Sequence, residues 1–305
     1  MFRTLGLLAA CAIIIALTTG AVADESRRAL VLSSDFGTTE RFVASMKGVA
    51  LGVDPNLQIH DLTHHIEPFN VWQASYMLAG TIDYWPEGTV FVSVVDPGVG
   101  TERKSVVVRT GTGHYVVTPD NGSLTLVADK QGVLEVREID ETVNRRPGSE
   151  SSHTFHGRDV YAYTGARLAA GVIDFEDVGP LLEPKIVTFN FQQPERLEED
   201  SVVGNITHVE IPFGNIVTNI PKSLVDDLGL SPEDSVTVTV EITQSGKPVF
   251  RQQIPYVPSF GYVDEGSPLL YPDSLQTIGL AINSGNFARH YEVRAGADWT
   301  IHLKK

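Results

Sequence analysis

Residues 89–98 read Thr89-Val90-Phe91-Val92-Ser93-Val94-Val95-Asp96-Pro97-Gly98, a run dominated by β-branched residues and stopped by a turn. Valines pack well on a pleated sheet, and Pro-Gly cannot continue a ladder, so the stretch reads as a strand with Asp96 at its carboxyl end. Upstream, Ala29–Ser34 is a second short strand ending at Asp35-Phe36-Gly37-Thr38, and Leu57–Leu62 is a third. Between them, Arg41–Leu51 sets Phe42, Met46, Val49 and Ala50 at helical spacing before Gly52 and Pro55. Val71–Tyr84 is a further helix ending before Pro86. Downstream, Ser105–Arg109 and His114–Thr118 form two strands around the Gly111–Gly113 turn, and Val160–Ala170 reads as a helix. Strands alternating with helices predict an α/β domain with a largely parallel central sheet. After Pro180 the character changes. Val202–Ile211, Ser235–Thr243, Val249–Tyr256, Thr277–Ala281 and Tyr291–Arg294 are short β-rich runs between Gly, Pro, Asn and Ser clusters, with helical spacing only over Lys222–Leu228. They predict a smaller, barrel-like all-β domain. The expected division is 24–192 and 193–305.

Composition narrows the functions. The chain has 305 residues, with 38 Asp+Glu against 23 Lys+Arg and a formal charge of −15. A polyanion such as nucleic acid needs clustered Lys and Arg and is not the expected partner. One cysteine excludes a disulfide framework and a thiolate metal cluster. Met1-Phe2-Arg3, the apolar run Leu5–Leu17 and the small residues before Asp24 have the form of a signal peptide cut after Ala23. The run is short for a membrane span. Leu8-Ala9-Ala10-Cys11 also has the form of a lipoprotein box, but Cys11 stands in the middle of the run. The expected mature chain is exported, periplasmic or secreted, with no membrane segment.

In open α/β sheets ligands bind beyond the carboxyl ends of the strands. Asp35, Asp61 and Asp96 all follow strands, and Arg103 lies across a Gly-rich loop from Asp96. That loop has no Walker lysine and no dinucleotide fingerprint. His156 stands at a helix entrance within Thr154-Phe155-His156-Gly157-Arg158-Asp159, where Arg158 and Asp159 read as a structural pair. His60, Asp61, His64 and His65 offer imidazole and carboxylate donors of the kind zinc takes, but on no H-E-x-x-H helix. No Gly-x-Ser-x-Gly elbow is present.

In chain order, Ser34-Asp35-Phe36-Gly37, Asp61-Leu62-Thr63-His64, Val95-Asp96-Pro97-Gly98-Val99-Gly100-Thr101, Pro119-Asp120-Asn121-Gly122, Thr154-Phe155-His156-Gly157-Arg158-Asp159 and Phe213-Gly214-Asn215 resemble the S-adenosyl-L-methionine (SAM) hydroxide adenosyltransferases. These are relatives of the SAM-dependent fluorinase and chlorinase. The resemblance spans about residues 29–295. It implies an α/β domain followed by a β-barrel domain, in a homotrimer whose sites lie between the first domain of one subunit and the second of its neighbour. The implied reaction turns SAM and water into adenosine and L-methionine, with SAM as substrate and no cofactor or metal. Asp96, Arg103 and His156 fall on the water-activating positions, and Asp35 on the ribose-binding carboxylate. Phe69 and Asn190 fall at the nucleoside, and Gly157 falls among the substrate-binding positions. Glu210, Phe213 and Asn215, with Phe260 and Ser284, fall around the methionine end. Halogenating relatives carry tyrosine in place of Asp96, serine in place of Gly157, and an inserted loop where Arg109–His114 is a short turn. They also carry a substrate-gripping arginine where Gly285 stands. Alternatives that the residues leave open are a non-catalytic nucleoside-binding protein, a hydrolase of another 5′-substituted adenosine, and a metal-dependent hydrolase on Asp61, His64 and His65.

Overall fold

The structure, a computed structural model, describes residues 28–305; the expected signal segment 1–23, with Cys11 and the Ala23 cleavage point, lies outside the described residues. In the first domain β1 (Leu30–Ser34), α1 (Phe42–Val53), β2 (Ile59–Thr63), α2 (Val71–Ala79) and β3 (Val90–Val94) follow the expected alternation. Asp54 takes an extended backbone before Pro55 and ends α1. Asn70 caps α2 by accepting from the Gln73 amide, and the rest of the expected second helix is a 3-10 turn at Ile82–Tyr84. Then come β4 (Ser105–Thr110), β5 (Tyr115–Pro119), α3 (Thr125–Gln131), β6 (Val133–Glu138), α4 (Tyr163–Ala169) and β7 (Leu181–Leu182). A wide π-type turn, Gly157–Ala162, leads directly into α4.

The sheet order is β2-β1-β3-β5-β4-β6-β7. Strands β2, β1, β3 and β5 are mutually parallel, β4 is antiparallel to both β5 and β6, and β7 is antiparallel to β6. All but β4 and β7 therefore run the same way, so the sheet is mixed but largely parallel as expected. Side-chain alternation divides the core into two layers. Leu30, Leu32, Val90, Val92 and Val94 pack with α1 and α4 through Met46, Ala50 and Ala166. Val31 and Phe91 point the other way, onto Trp72, Leu78 and Leu126 of α2 and α3.

The closeness of that packing is testable. A Cβ at Gly165 of α4 would overlap Val92 Cγ2 of β3. Gly165→Ala is expected to destabilise the protein by about 1–3 kcal/mol, as overpacking does, read as a lower urea midpoint at unchanged slope. A wild-type midpoint would mean that α4 stands further from the sheet.

The second domain contains β8 (Glu195–Glu198), β9 (Ser201–Val209), β10 (Ile216–Pro221), α5 (Lys222–Asp226), β11 (Thr237–Gln244) and β12 (Lys247–Pro255). It ends with β13 (Pro268–Pro272), β14 (Thr277–Ile282), α6 (Phe287–Tyr291) and β15 (Trp299–Lys304). Its strands pair antiparallel in the order β12-β11-β15-β9-β10-β14-β13, with β8 on β9. The Val257 amide donates to the Leu270 carbonyl at 3.0 Å and bridges the two ends, so the sheet nearly closes into a barrel. The expected strand at Tyr291–Arg294 is corrected. Asn286 accepts from the Arg289 amide and starts α6 instead, and Phe287 is buried with Tyr291 against Phe250. Capping and packing outweigh the β propensity of Tyr and Val. The domains meet where Trp72 Nε1 donates to the Thr207 carbonyl at 2.9 Å and Tyr76 stacks on His208 at 4.2 Å.

Candidate active site

Asp96 leaves the end of β3 just past Val94. The loop after it must return closely, and Gly100 allows this: its φ is +75°, and a Cβ there would lie 2.6 Å from the His153 carbonyl oxygen. Arg103 thereby faces back onto Asp96. Its Nε donates to Oδ1 at 2.9 Å and its Nη2 to Oδ2 at 2.5 Å, a two-pronged pair with both side chains largely buried. Arg103 Nη1 donates to Ser105 Oγ at 3.0 Å. The Tyr161 hydroxyl donates to Asp96 Oδ2 at 3.2 Å, and burial pushes that phenol far above its ordinary pKa. His156, at the mouth of the π-type turn, has Nδ1 3.0 Å from Arg103 Nη2. Asp96, Arg103 and His156 therefore converge.

Behind His156, Arg145 Nη2 lies 3.2 Å from Nε2, and Arg145 is held by Glu141 at 2.5 and 3.0 Å. Burial comes first in pushing the His156 imidazole below its ordinary pKa; Arg103 and Arg145 push the same way, while Glu141 and Asp96 oppose. Tyr161, Glu141 and Arg145 were not anticipated. Tyr161 had one signal, its place on the same helical entrance as His156. Glu141 and Arg145 had none.

Asp35 follows β1 and accepts from the Phe69 amide at 2.9 Å. Burial raises its carboxyl pKa, the Phe69 N–H offsets part of that, and the nearby Asp96 raises it further. Phe69 holds a left-handed backbone, φ +67°, and is 71% exposed. Phe36, Phe42 and Phe155 pack ring to ring at 5.4–5.8 Å, with Phe155 edge-on to the other two. Together with Asp96 and His156 these residues line a cleft of about 430 Å³, a size suited to a small ligand. Gly157 is part of the wall, where a Cβ would come 3.1 Å from the Phe36 ring.

The other expected binding residues lie elsewhere on the chain. Glu210, Phe213, Asn215, Phe260 and Ser284 line a cavity of about 720 Å³ on the barrel domain. Asn215 Nδ2 donates to Glu210 Oε2 at 2.8 Å, and Phe213 is 63% exposed. Asn190 lines a third hollow, with Thr125, Asp129 and Phe191. One chain thus carries the expected residues in three separate places.

The histidine cluster does not assemble as metal ligands. Strand alternation sends His60 and Asp61 to opposite faces: His60 packs on Trp85 at 5.2 Å, while Asp61 accepts from Lys47 Nζ at 2.6 Å. His64 is buried between Asp61 and Ser34, at 3.1 and 2.7 Å, and His65 turns to Thr38. Asp61 is therefore a structural residue of β2, not a third strand-end carboxylate of the cleft. Among the described residues no group of three or more His, Cys, Asp or Glu is placed to hold a metal ion. No described helix is long and apolar enough to cross a membrane.

Comparison with known proteins gives a consistent result. Residues 30–179 match the SAM hydroxide adenosyltransferase N-terminal domain, and residues 204–300 match the C-terminal domain. The chain is 37% identical over 219 residues to the (R)-S-adenosyl-L-methionine hydrolase of Methanocaldococcus jannaschii, covering 69% of this chain and 73% of that protein. It is 30% identical over 296 residues to a fluorinase of Nocardia brasiliensis, covering 88% and 95%. The crystal structure of a conserved protein from Thermotoga maritima superposes with a TM-score of 0.77 at 35% identity, over 90% of this chain and 100% of that one.

Proposed function

The chain belongs to the SAM hydroxide adenosyltransferase family, and from that premise we propose that it catalyses attack of water on C5′ of SAM, releasing adenosine and L-methionine. The observation that carries this reading is the convergence of Asp96, Arg103 and His156 at the edge of the cleft that holds Asp35. The leaving group of a sulfonium is a neutral thioether and needs neither an acid nor a Lewis acid. What remains for the protein is to place water in line with the C5′–S bond, and positioning of that kind is worth about 7–11 kcal/mol. Asp96 orients the water, and Asp35 takes the ribose hydroxyls. The Phe69 and Phe213 rings offer faces to the sulfonium. A carboxylate at position 96 would repel a desolvated halide, which favours water as the nucleophile. Purified protein incubated with SAM is expected to release adenosine and L-methionine in equal amounts by chromatography; no adenosine above the protein-free rate overturns the reading.

Phe69 and Phe213 are large, exposed rings on two different cavities of one chain. This supports a site completed by a second copy, with the cleft of one subunit facing the barrel cavity of the next. Such a head-to-tail contact closes into a ring, and the ring we propose is a trimer. In the barrel cavity Glu210 suits the ammonium of the methionine end. Arg289 lines the same cavity, and among the described residues its guanidinium has no ion pair or hydrogen bond. It is the cation available to the substrate carboxylate where Gly285 supplies none. Arg289→Ala is expected to raise KM for SAM about tenfold, the effect of losing roughly 1.4 kcal/mol, and to leave decarboxylated SAM unaffected. Equal effects on both substrates would count against that role.

Residues 1–23 have the form of an export signal, so the proposed location is periplasmic or secreted. N-terminal sequencing of the protein from its host is expected to begin at Asp24. The same segment favours a second reading, another 5′-substituted adenosine as substrate; turnover of such a compound with none of SAM would select it.

A further inference from the structure

An imidazole offers one acceptor nitrogen when neutral and none when protonated. His156 has a guanidinium at each ring nitrogen: Arg103 Nη2 is 3.0 Å from Nδ1, and Arg145 Nη2 is 3.2 Å from Nε2. Protonation would set an N–H against an N–H on both sides. Arg145 is no loose surface group, for it is buried, held by two bonds to Glu141 Oε2, and donates through Nη1 to the Ser149 and Ser152 carbonyls.

We propose that Arg145, fixed by Glu141, is a positioning residue that keeps His156 an uncharged imidazole through the reaction and so leaves Asp96 as the acceptor of the water proton. The inference rests on the cleft being the site of water attack. Asp96 has room for that proton. Oδ2 accepts from both Arg103 and Tyr161, but among the described residues Oδ1 accepts from Arg103 Nε alone and keeps a lone pair. The water oxygen bonds to C5′ as the C5′–S pair returns to sulfur, and methionine leaves as a thioether. The oxonium so formed is a stronger acid than any carboxylic acid, so even a carboxylate paired with arginine takes its proton and passes it to solvent. An imidazole base is not required.

The charged and titratable groups that face His156 are Asp96 and Arg103 from the segment after β3, Glu141 and Arg145 from the segment after β6, and Tyr161 from its own turn. Burial is the largest cause that holds the imidazole below its ordinary pKa; among the charges Glu141 and Asp96 favour an imidazolium, and Arg103 and Arg145 oppose it. The sign follows. The wild-type His156 ring titrates below the ordinary histidine value of about 6.5. In Arg145→Met one guanidinium is gone and Glu141 is released toward the ring, so the imidazole protonates at higher pH. In Glu141→Gln a carboxylate is gone, so it protonates at lower pH.

The test is the NMR titration of the His156 ring in the substrate-free protein, together with the acid limb of kcat/KM for SAM. Arg145→Met is expected to move both up by about one pH unit, a tenfold change in the protonation ratio, and Glu141→Gln to move both down. Unmoved ring titrations in two folded variants, or two shifts of the same sign, overturn the proposal. The titration needs no turnover. Opposite ring shifts with no hydrolysis of SAM therefore uphold the role of Arg145 on His156 and defeat the substrate reading, whereas hydrolysis with unmoved titrations defeats the proposal and leaves that reading standing.

Discussion

Asp96→Asn is expected to lower kcat/KM for adenosine release from SAM by about 10²–10⁴-fold, the range of a positioned proton acceptor. The substitution is nearly isosteric, and a carboxamide still accepts one bond from Arg103 and one from Tyr161. It removes the negative charge and, with it, the Oδ1 lone pair that the proposed mechanism assigns to the attacking water. Alanine would be a poorer test. It would take away both oxygens to which Arg103 and Tyr161 donate as well as the charge, whereas asparagine loses the charge but keeps one acceptor oxygen. A thermal melt within a few degrees of wild type separates lost chemistry from lost fold. Activity within tenfold of wild type would mean that Asp96 only anchors Arg103, and that the water is oriented by another group.

Mixing two inactive variants is expected to restore activity. Asp96→Asn damages the cleft of the first domain, while Glu210→Gln combined with Phe213→Ala damages the barrel cavity. If each site joins the cleft of one subunit to the barrel cavity of the next, random equimolar rings carry both intact halves at about one site in four. Adenosine production is then about a quarter of wild type, against near zero for either variant alone. If one chain supplied a whole site, every chain in the mixture would carry a defect and no activity would return. Mixed oligomers identified by mass spectrometry, yet inactive, would reject the shared site.

Much of this was legible in the sequence for a local reason. Ala29–Ser34 and Thr89–Val95 are strands because their apolar, β-rich runs stop at turns. Asp35 and Asp96 stand at strand ends because those turns follow at once. Other elements gave weaker signals. Helix α3 and strands β6, β10, β13 and β15 carry no such periodic signal, being short runs near prolines or glycines. The side chains around Tyr291 favour β structure and predict a strand, but Asn286 caps the stretch as a helix. Tyr161 reaches Asp96 through an i to i+5 turn, whereas on an ordinary 3.6-residue turn it would face away from His156.

Periodicity, turn chemistry and motifs, each carried by a few neighbouring residues, were enough for the two-domain order, for Asp35 and Asp96 at strand ends, and for the family. That Asp61 is held within β2, that Arg145 backs His156, and that the expected binding residues line three separate hollows came from the packing of separate segments. Those outcomes depend on distances between segments tens of residues apart, set by strand order and by which face each side chain takes, and no local pattern encodes them.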